Sequence, residues 1–276
     1  MQGQLGSVLT LYRRAVLSTL RSIQQGWIGM IALVGFALLF VGISRIASPL
    51  GMAGGFVLGA ANALLVGATL HLIEQSLSGV RALQLHDIVD SLGHYFWDVI
   101  GVGFVLWFPV MALDMGTQAN PYGQFLSAAC LLLLFILLNP APEVIYQVRH
   151  DSPLDVFKTC YDFVLENWIE WFLPFGLLIL PVVLSPSGLS EFVRLSSRLG
   201  RGAGLDFFQL LILPFTVLGG WFAYLGLPAD AYWILAILLT PPVAMSILLF
   251  RGHLFAMLHG SSRRQRLFAE RFHHDR

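Results

Sequence analysis

Charge is what this sequence has least of. Only 12% of its 276 residues are Asp, Glu, Lys or Arg, against about 25% in a soluble domain. Mean hydropathy is +0.74, and the missing charge leaves long uninterrupted apolar runs. Several reach the ~20 residues that cross ~30 Å of hydrocarbon, which excludes a soluble core. Strands of an outer-membrane barrel are excluded by run length, because barrel strands take ~10 residues of alternating polarity. Lysine is nearly absent, with Lys158 alone against fifteen arginines. Net charge is zero, so no basic surface argues for a nucleic-acid partner. Cysteine is scarce too. Cys130 lies inside an apolar run and Cys160 in a polar linker, so a mutual disulfide is not expected. The first 25 residues hold no central apolar run or small-residue cleavage site, and no cleavable leader is expected. Enzymatic signatures are missing as well: no HExxH, GxSxG, Walker A loop or dinucleotide fingerprint occurs, so neither an enzyme nor a cofactor is expected. Strings such as GMAGG sit inside an apolar run and read as packing features.

What is present is a loosely repeated unit: an amphipathic stretch, a tryptophan, then two apolar spans. Trp27, Trp97 and Trp168 stand 70 and 71 residues apart. The repeats cover about 8–80, 85–150 and 152–259, with a basic tail over 260–276. The expectation is one integral membrane domain over 1–276, an all-α polytopic transmembrane helical bundle. Six spans are expected, at about 28–46, 51–73, 98–113, 124–147, 169–186 and 231–250. Segment 207–227 is also long and apolar. With six spans and a cytoplasmic N-terminus, twelve of the sixteen basic residues face inside, as the positive-inside rule requires. A seventh span would carry the arginine-rich tail across. Segment 207–227 is therefore expected to re-enter or to lie on the bundle, with Pro214 and Gly219-Gly220 folding it into a helical hairpin.

Amphipathic helices introduce the repeats. Leu9, Tyr12, Val16, Leu20, Ile23 and Trp27 share one face of the first. Leu85, Ile88, Val89, Leu92 and Phe96 form the stripe of the second. Leu154, Phe157, Tyr161, Val164 and Trp168 form that of the third, opened by a Ser152–Asp155 capping box with Pro153 at its first position. A fourth, with Phe192, Leu195 and Leu199, is expected on the outer surface. Trp27, Trp97 and Trp168 are read as interface anchors.

Four constellations bear on function. Gly51, Gly55, Gly59, Ala63 and Gly67 put a small residue at every fourth position of the second span. That pattern makes a groove for close helix packing inside the bundle or, alternatively, a homodimer seam. Asn139-Pro140-Ala141-Pro142-Glu143 and Thr240-Pro241-Pro242 lie at matching depths of the fourth and sixth spans. Their prolines free backbone carbonyls, which makes either a kink or a broken-helix site for a polar ligand. Asn139, Glu143 and Thr240 are the candidate ligand-binding residues. Glu143 near hydrocarbon costs roughly 2.5–3.5 kcal/mol unless paired, with Arg149 or Arg251 as the simplest partner. Finally, His86, Asp90 and His94 are spaced i, i+4, i+8 on the second amphipathic stretch, with His71, Glu74, His150 and Asp151 on the same membrane side. Such donors can hold zinc or iron, but a solvated polar face is the simpler reading, and no metal is expected.

An Arg13-Arg14 interfacial helix precedes the first span. Polar amphipathic linkers follow the second and fourth, and a TPP…LLFRGHL ending closes the sixth. Over most of the chain this layout resembles the bacterial six-helix membrane proteins grouped as YciC-like, which include the membrane domain attached to some glycerophosphodiester phosphodiesterases. The resemblance implies a bacterial cytoplasmic (inner) membrane and no defined activity. No phosphodiesterase domain is legible, so that reaction is not carried over. The expected function is a non-enzymatic accessory subunit or scaffold of a membrane or envelope complex, with membrane lipids and other membrane subunits as partners. The alternatives are a carrier of a lipid or small amphiphile and, more remotely, an intramembrane metalloenzyme.

Overall fold

The computed structural model describes residues 2–79, 81–117, 122–184, 201 and 205–259. Among them every regular element is helical, and seven helices are long and apolar enough to cross a membrane. Ten α-helices with described bounds follow in order among these residues. They are α1 (Gln2–Gln25), α2 (Trp27–Ala47), α3 (Met52–Ser78), α4 (Leu85–Asp90), α5 (Phe96–Thr117), α6 (Gly123–Leu138), α7 (Ala141–Gln147), α8 (Pro153–Leu184), α9 (Phe207–Tyr224) and α10 (Ala229–His259). Large apolar side chains such as Leu38, Phe56 and Ile237 are exposed along these helices. So much apolar exterior is stable only against lipid, and the chain is a multi-pass membrane protein.

Helix α3 is the centre of the bundle. Its residues from Ala61 to Ser76 are largely buried, with α2 and α5 packed along it. One 3₁₀ turn, Ser48–Leu50, joins α2 to α3. Gly51 there has φ +57, a conformation open to glycine at no steric cost, and Gly54 comes against the Ala47 carbonyl, where a Cβ would not fit. The stripe of small residues on α3 therefore divides. Gly67 packs on the Tyr95–Phe96 backbone and Ala63 is buried, whereas Gly55 and Gly59 are exposed with nothing near them. The close approach expected along the whole stripe occurs only at its inner end.

Helix α1 also packs differently from its apolar stripe. Ala15, Thr19 and Ser22 are buried, while Leu9, Val16 and Leu20 are exposed. Its small residues sit against α10, Tyr12 and Ile23 of the stripe pack partly on the core, and Leu9, Val16 and Leu20 face outward as an interfacial helix would place them. The second amphipathic stretch is a helix of only six residues, closed by a turn with Gly93 at φ +90. The third forms as expected: Ser152 Oγ accepts from Asp155 N at 3.3 Å, and Asp155 Oδ2 accepts from Ser152 N at 3.0 Å. It continues into the next span, bending at Asn167 (φ −128). Trp27 and Trp97 open α2 and α5, Trp168 follows the bend in α8, and all three are exposed. The fourth amphipathic stretch, around Phe192–Leu199, and the tail 260–276 lie outside the described residues.

Segment 207–227 is one continuous helix over Phe207–Tyr224, with Pro214 and Gly219-Gly220 inside it. The hairpin expected there does not form: the helix continues through both features, packed between α8 and α10. Helix α9 starts deep within the bundle. Asn62, ten residues into α3 and so roughly 15 Å from its start, donates through Nδ2 to Leu205 O (2.9 Å) and accepts at Oδ1 from Phe207 N (2.8 Å). Phe207 packs on Phe36 and Phe40 of α2. At the other end Trp221 Nε1 donates to Leu178 O, late in α8. Helix α9 therefore runs in the same direction as the second half of α8.

Candidate functional site in the bundle interior

A membrane interior satisfies charge only within the protein, so buried ionisable groups mark where the sequence concentrates its polar chemistry. Here they meet where α6 breaks. Helix α6 ends at Leu138, Asn139 and Pro140 form a turn, and α7 begins at Ala141. Pro142 falls in the first turn of α7, where a missing N–H removes no helical bond. The interruption presents Glu143 and the Asn139 carbonyl on the same side.

Arg251 of α10 reaches both. Its Nε donates to Glu143 Oε1 at 2.7 Å and its Nη2 to Glu143 Oε2 at 2.8 Å, a bidentate fork. The same Nη2 donates to Asn139 O at 2.6 Å, one of the carbonyls a helix C-terminus leaves unpaired. Glu143 is 1% exposed. The guanidinium lies 5.2 Å from the centroid of the Trp171 ring, within cation–π range. Trp171 Nε1 in turn donates to Asn139 Oδ1 at 2.9 Å. Phe163 and Phe255 pack on Trp171 and on each other, shielding the pair from lipid. A bidentate, charge-assisted pair in such surroundings is geometrically specific and strong. Of the two partners anticipated for Glu143, Arg251 is the one that binds it.

Beside this network lies a cavity of about 40 Å³, lined on its polar side by Asn139, Gln209 and Arg251 and closed by Phe135, Pro214 and Leu248, among others. Such a space holds a few waters and no lipid chain. Thr240 does not join it. Its hydroxyl donates to Ala236 O at 2.7 Å within its own helix. Helix α10 runs unbroken through Pro241 and Pro242, so the two proline sites, expected to match, differ. Sequence reasoning missed Trp171, Gln209 and Asn62. Asn62, a lone amide in an apolar span, carried a readable signal; Trp171 and Gln209 carried none that set them apart.

The histidine-rich side also rearranges. The i, i+4, i+8 spacing of His86, Asp90 and His94 assumed one helix, but α4 ends at Asp90. His86 and Asp90 pair at 2.8 Å, while His94 turns away to stack on His71. Between His86 and Asp90, Asp87 is buried and closes a capping box with Gln84. The Gln84 backbone N–H, then the Arg81 guanidinium, hold its carboxyl below the usual carboxylate value. On α1, burial and then the charge of Glu170 push the Tyr12 phenol up to about 12, so it stays protonated and donates to Glu170 O. Cys130 and Cys160 are free thiols.

No protein-family model, curated protein or solved structure matches the chain.

Proposed function

We propose that this chain is a non-enzymatic membrane protein, an accessory subunit or scaffold of a membrane or envelope complex. One observation carries the reading: the polar groups at the α6–α7 break are engaged with one another. Glu143, Arg251, Asn139 and Trp171 form a closed set, and the adjoining cavity of about 40 Å³ is too small for a lipid. A network of this kind fixes how α7, α8 and α10 assemble and leaves the apolar exterior to meet lipids and partner subunits. The placement we favour is the bacterial inner membrane, as the resemblance to YciC-like proteins implies.

Six crossings are the topology we favour, with both chain ends in the cytosol. The mid-depth start of α9 and its common direction with α8 support an even count, since α9 then returns to a face instead of crossing. The three tryptophans at the starts of spans support the threefold repeat.

The test is affinity purification of the whole chain in mild detergent. A reproducible membrane partner at fixed stoichiometry is the expected result, and a strictly solitary particle would overturn the reading. The carrier reading draws on a single feature, the cavity where the broken α6–α7 junction meets Gln209 and Arg251. It needs the Arg251–Glu143 pair to open, so cross-linking α7 to α10 would abolish lipid or amphiphile movement in vesicles if the chain were a carrier.

A further inference from the structure

Outside the Arg251 network, two sets of metal-ligating side chains come together among the described residues, and His71, Glu74 and His94 form the better one. His71 and Glu74 stand one turn apart near the end of α3, and the turn between α4 and α5 brings His94 back over them. The His71 and His94 rings stack with centroids 3.8 Å apart. One donor atom from each of His71, Glu74 and His94 lies within 4.8 Å of the other two. His71 Nδ1 and Glu74 Oε2 are 3.2 Å apart.

We propose that His71, Glu74 and His94 form a binding site for one divalent transition-metal ion of the zinc class, on the membrane face where α2 begins. The donor set is two imidazoles and one carboxylate, which leaves positions for water and suits zinc or ferrous iron over magnesium or calcium. The spacing fits as well: two bonds of about 2.1 Å at a tetrahedral angle hold their ligand atoms about 3.4 Å apart. An ion can therefore bridge His71 Nδ1 and Glu74 Oε2 with small adjustments, and His94, exposed in its turn, joins them by swinging its ring out of the stack so that a nitrogen lone pair meets the ion. The surrounding groups orient the ligands as metal sites require. Tyr95 donates its hydroxyl proton to Glu74 Oε2 at 2.7 Å. Gln75 Nε2 lies 2.8 Å from His71 Nε2; with Nδ1 on the metal, Nε2 carries the proton, and the Gln75 amide turns over to present its oxygen as acceptor. Beside this set, His150 and Asp98 meet at 3.3 Å and brace the start of α5.

The other group of donors close enough to share an ion, His86, Asp87 and Asp90, is a poorer site. Both Asp87 oxygens are taken, by Arg81 and by the Gln84 backbone. His86 and Asp90 are more than half exposed and pair with each other.

The test uses the full chain in detergent, stripped with chelator and carrying His273→Ala and His274→Ala so that the histidines of the tail do not compete. Equilibrium dialysis against Zn²⁺ should give one ion per chain, and Co²⁺ substitution should give visible d–d bands. His94→Ala and Glu74→Gln should each weaken Zn²⁺ binding at least tenfold and abolish the Co²⁺ spectrum, while His86→Ala leaves both unchanged. His94 sits exposed in a turn, so its variant tests the site without disturbing the core. No saturable binding at micromolar Zn²⁺, or binding that survives His94→Ala with Glu74→Gln, overturns the proposal.

Discussion

Two spans carry prolines at nearly the same distance before an arginine, and only one of them breaks. At Asn139-Pro140-Ala141-Pro142 the chain leaves the helix between Leu138 and Ala141. At Thr240-Pro241-Pro242 helix α10 continues to His259. Proline removes a backbone donor in both places, so the residue itself does not decide the outcome. The difference lies in what stands opposite. Arg251 and Trp171 supply donors to the Asn139 carbonyl and side chain, so the freed polar groups are served from neighbouring helices. Around Pro241 the hydroxyls of Thr240 and Ser246 bond back within their own helix, to Ala236 O and Pro242 O. A transmembrane helix opens where another element can satisfy the exposed groups, and otherwise keeps its remaining bonds.

The comparison breaks most sharply at Arg251. Arg251→Met leaves Glu143 buried without its cation, and removal of one partner of a buried pair costs about 3–5 kcal/mol. Arg251→Met should therefore lower unfolding stability in detergent by that amount. The double variant Arg251→Met with Glu143→Leu should recover most of the loss, since matched apolar groups replace a buried pair at little cost. A double variant as unstable as the single one would show that α6 does not break on account of this pair. A second served helix end gives the next effect. Asn62→Leu strips partners from both Leu205 O and Phe207 N. Each buried group left unsatisfied costs about 1–3 kcal/mol, so a loss of about 2–6 kcal/mol is expected in the same unfolding measurement. Hydrogen exchange should then rise first at the start of α9. Trp171→Phe comes third, because the aromatic packing survives while Asn139 Oδ1 loses its donor. About 1–2 kcal/mol should go.

How far the sequence reveals these features depends on whether their cause is local. The helix bundle and the Ser152–Asp155 cap follow from runs and spacings within one segment, and the structure has both, although seven of its helices are long and apolar enough to cross where six spans were expected. Glu143 was conspicuous because a carboxylate in hydrocarbon must be paired, and Arg251 stood among the possible partners. Trp171 was not legible: it sits in an aromatic-rich run, and only the fold brings its N–H to Asn139. Thr240 was drawn in by analogy between two proline sites, and the analogy failed because Arg251 comes to one site from another helix. His94 was misplaced for a similar reason. Its spacing from His86 and Asp90 implied a shared helical face, but Gly93 at positive φ turns the chain and brings His94 to His71. The small residues of α3 were read as one groove, although only the inner end of the stripe has a neighbouring backbone against it.

The mildest test concerns the helix that does not break. Thr240→Val removes a hydroxyl whose bond goes to its own helix, at Ala236 O. Bonds of this kind compete weakly with the helix backbone and add little to it, so a change within about 0.5 kcal/mol is expected. The small size of this effect is what makes it useful. Thr240 and Asn139 are both buried, polar and next to proline, and they differ only in whether a neighbouring helix depends on them. If Thr240→Val were as damaging as Trp171→Phe, then burial beside a proline would itself set the cost, and the distinction between a served break and an unserved kink would dissolve. If Thr240→Val is silent while Trp171→Phe is not, the cost follows the bond to another helix, as the α6–α7 junction implies.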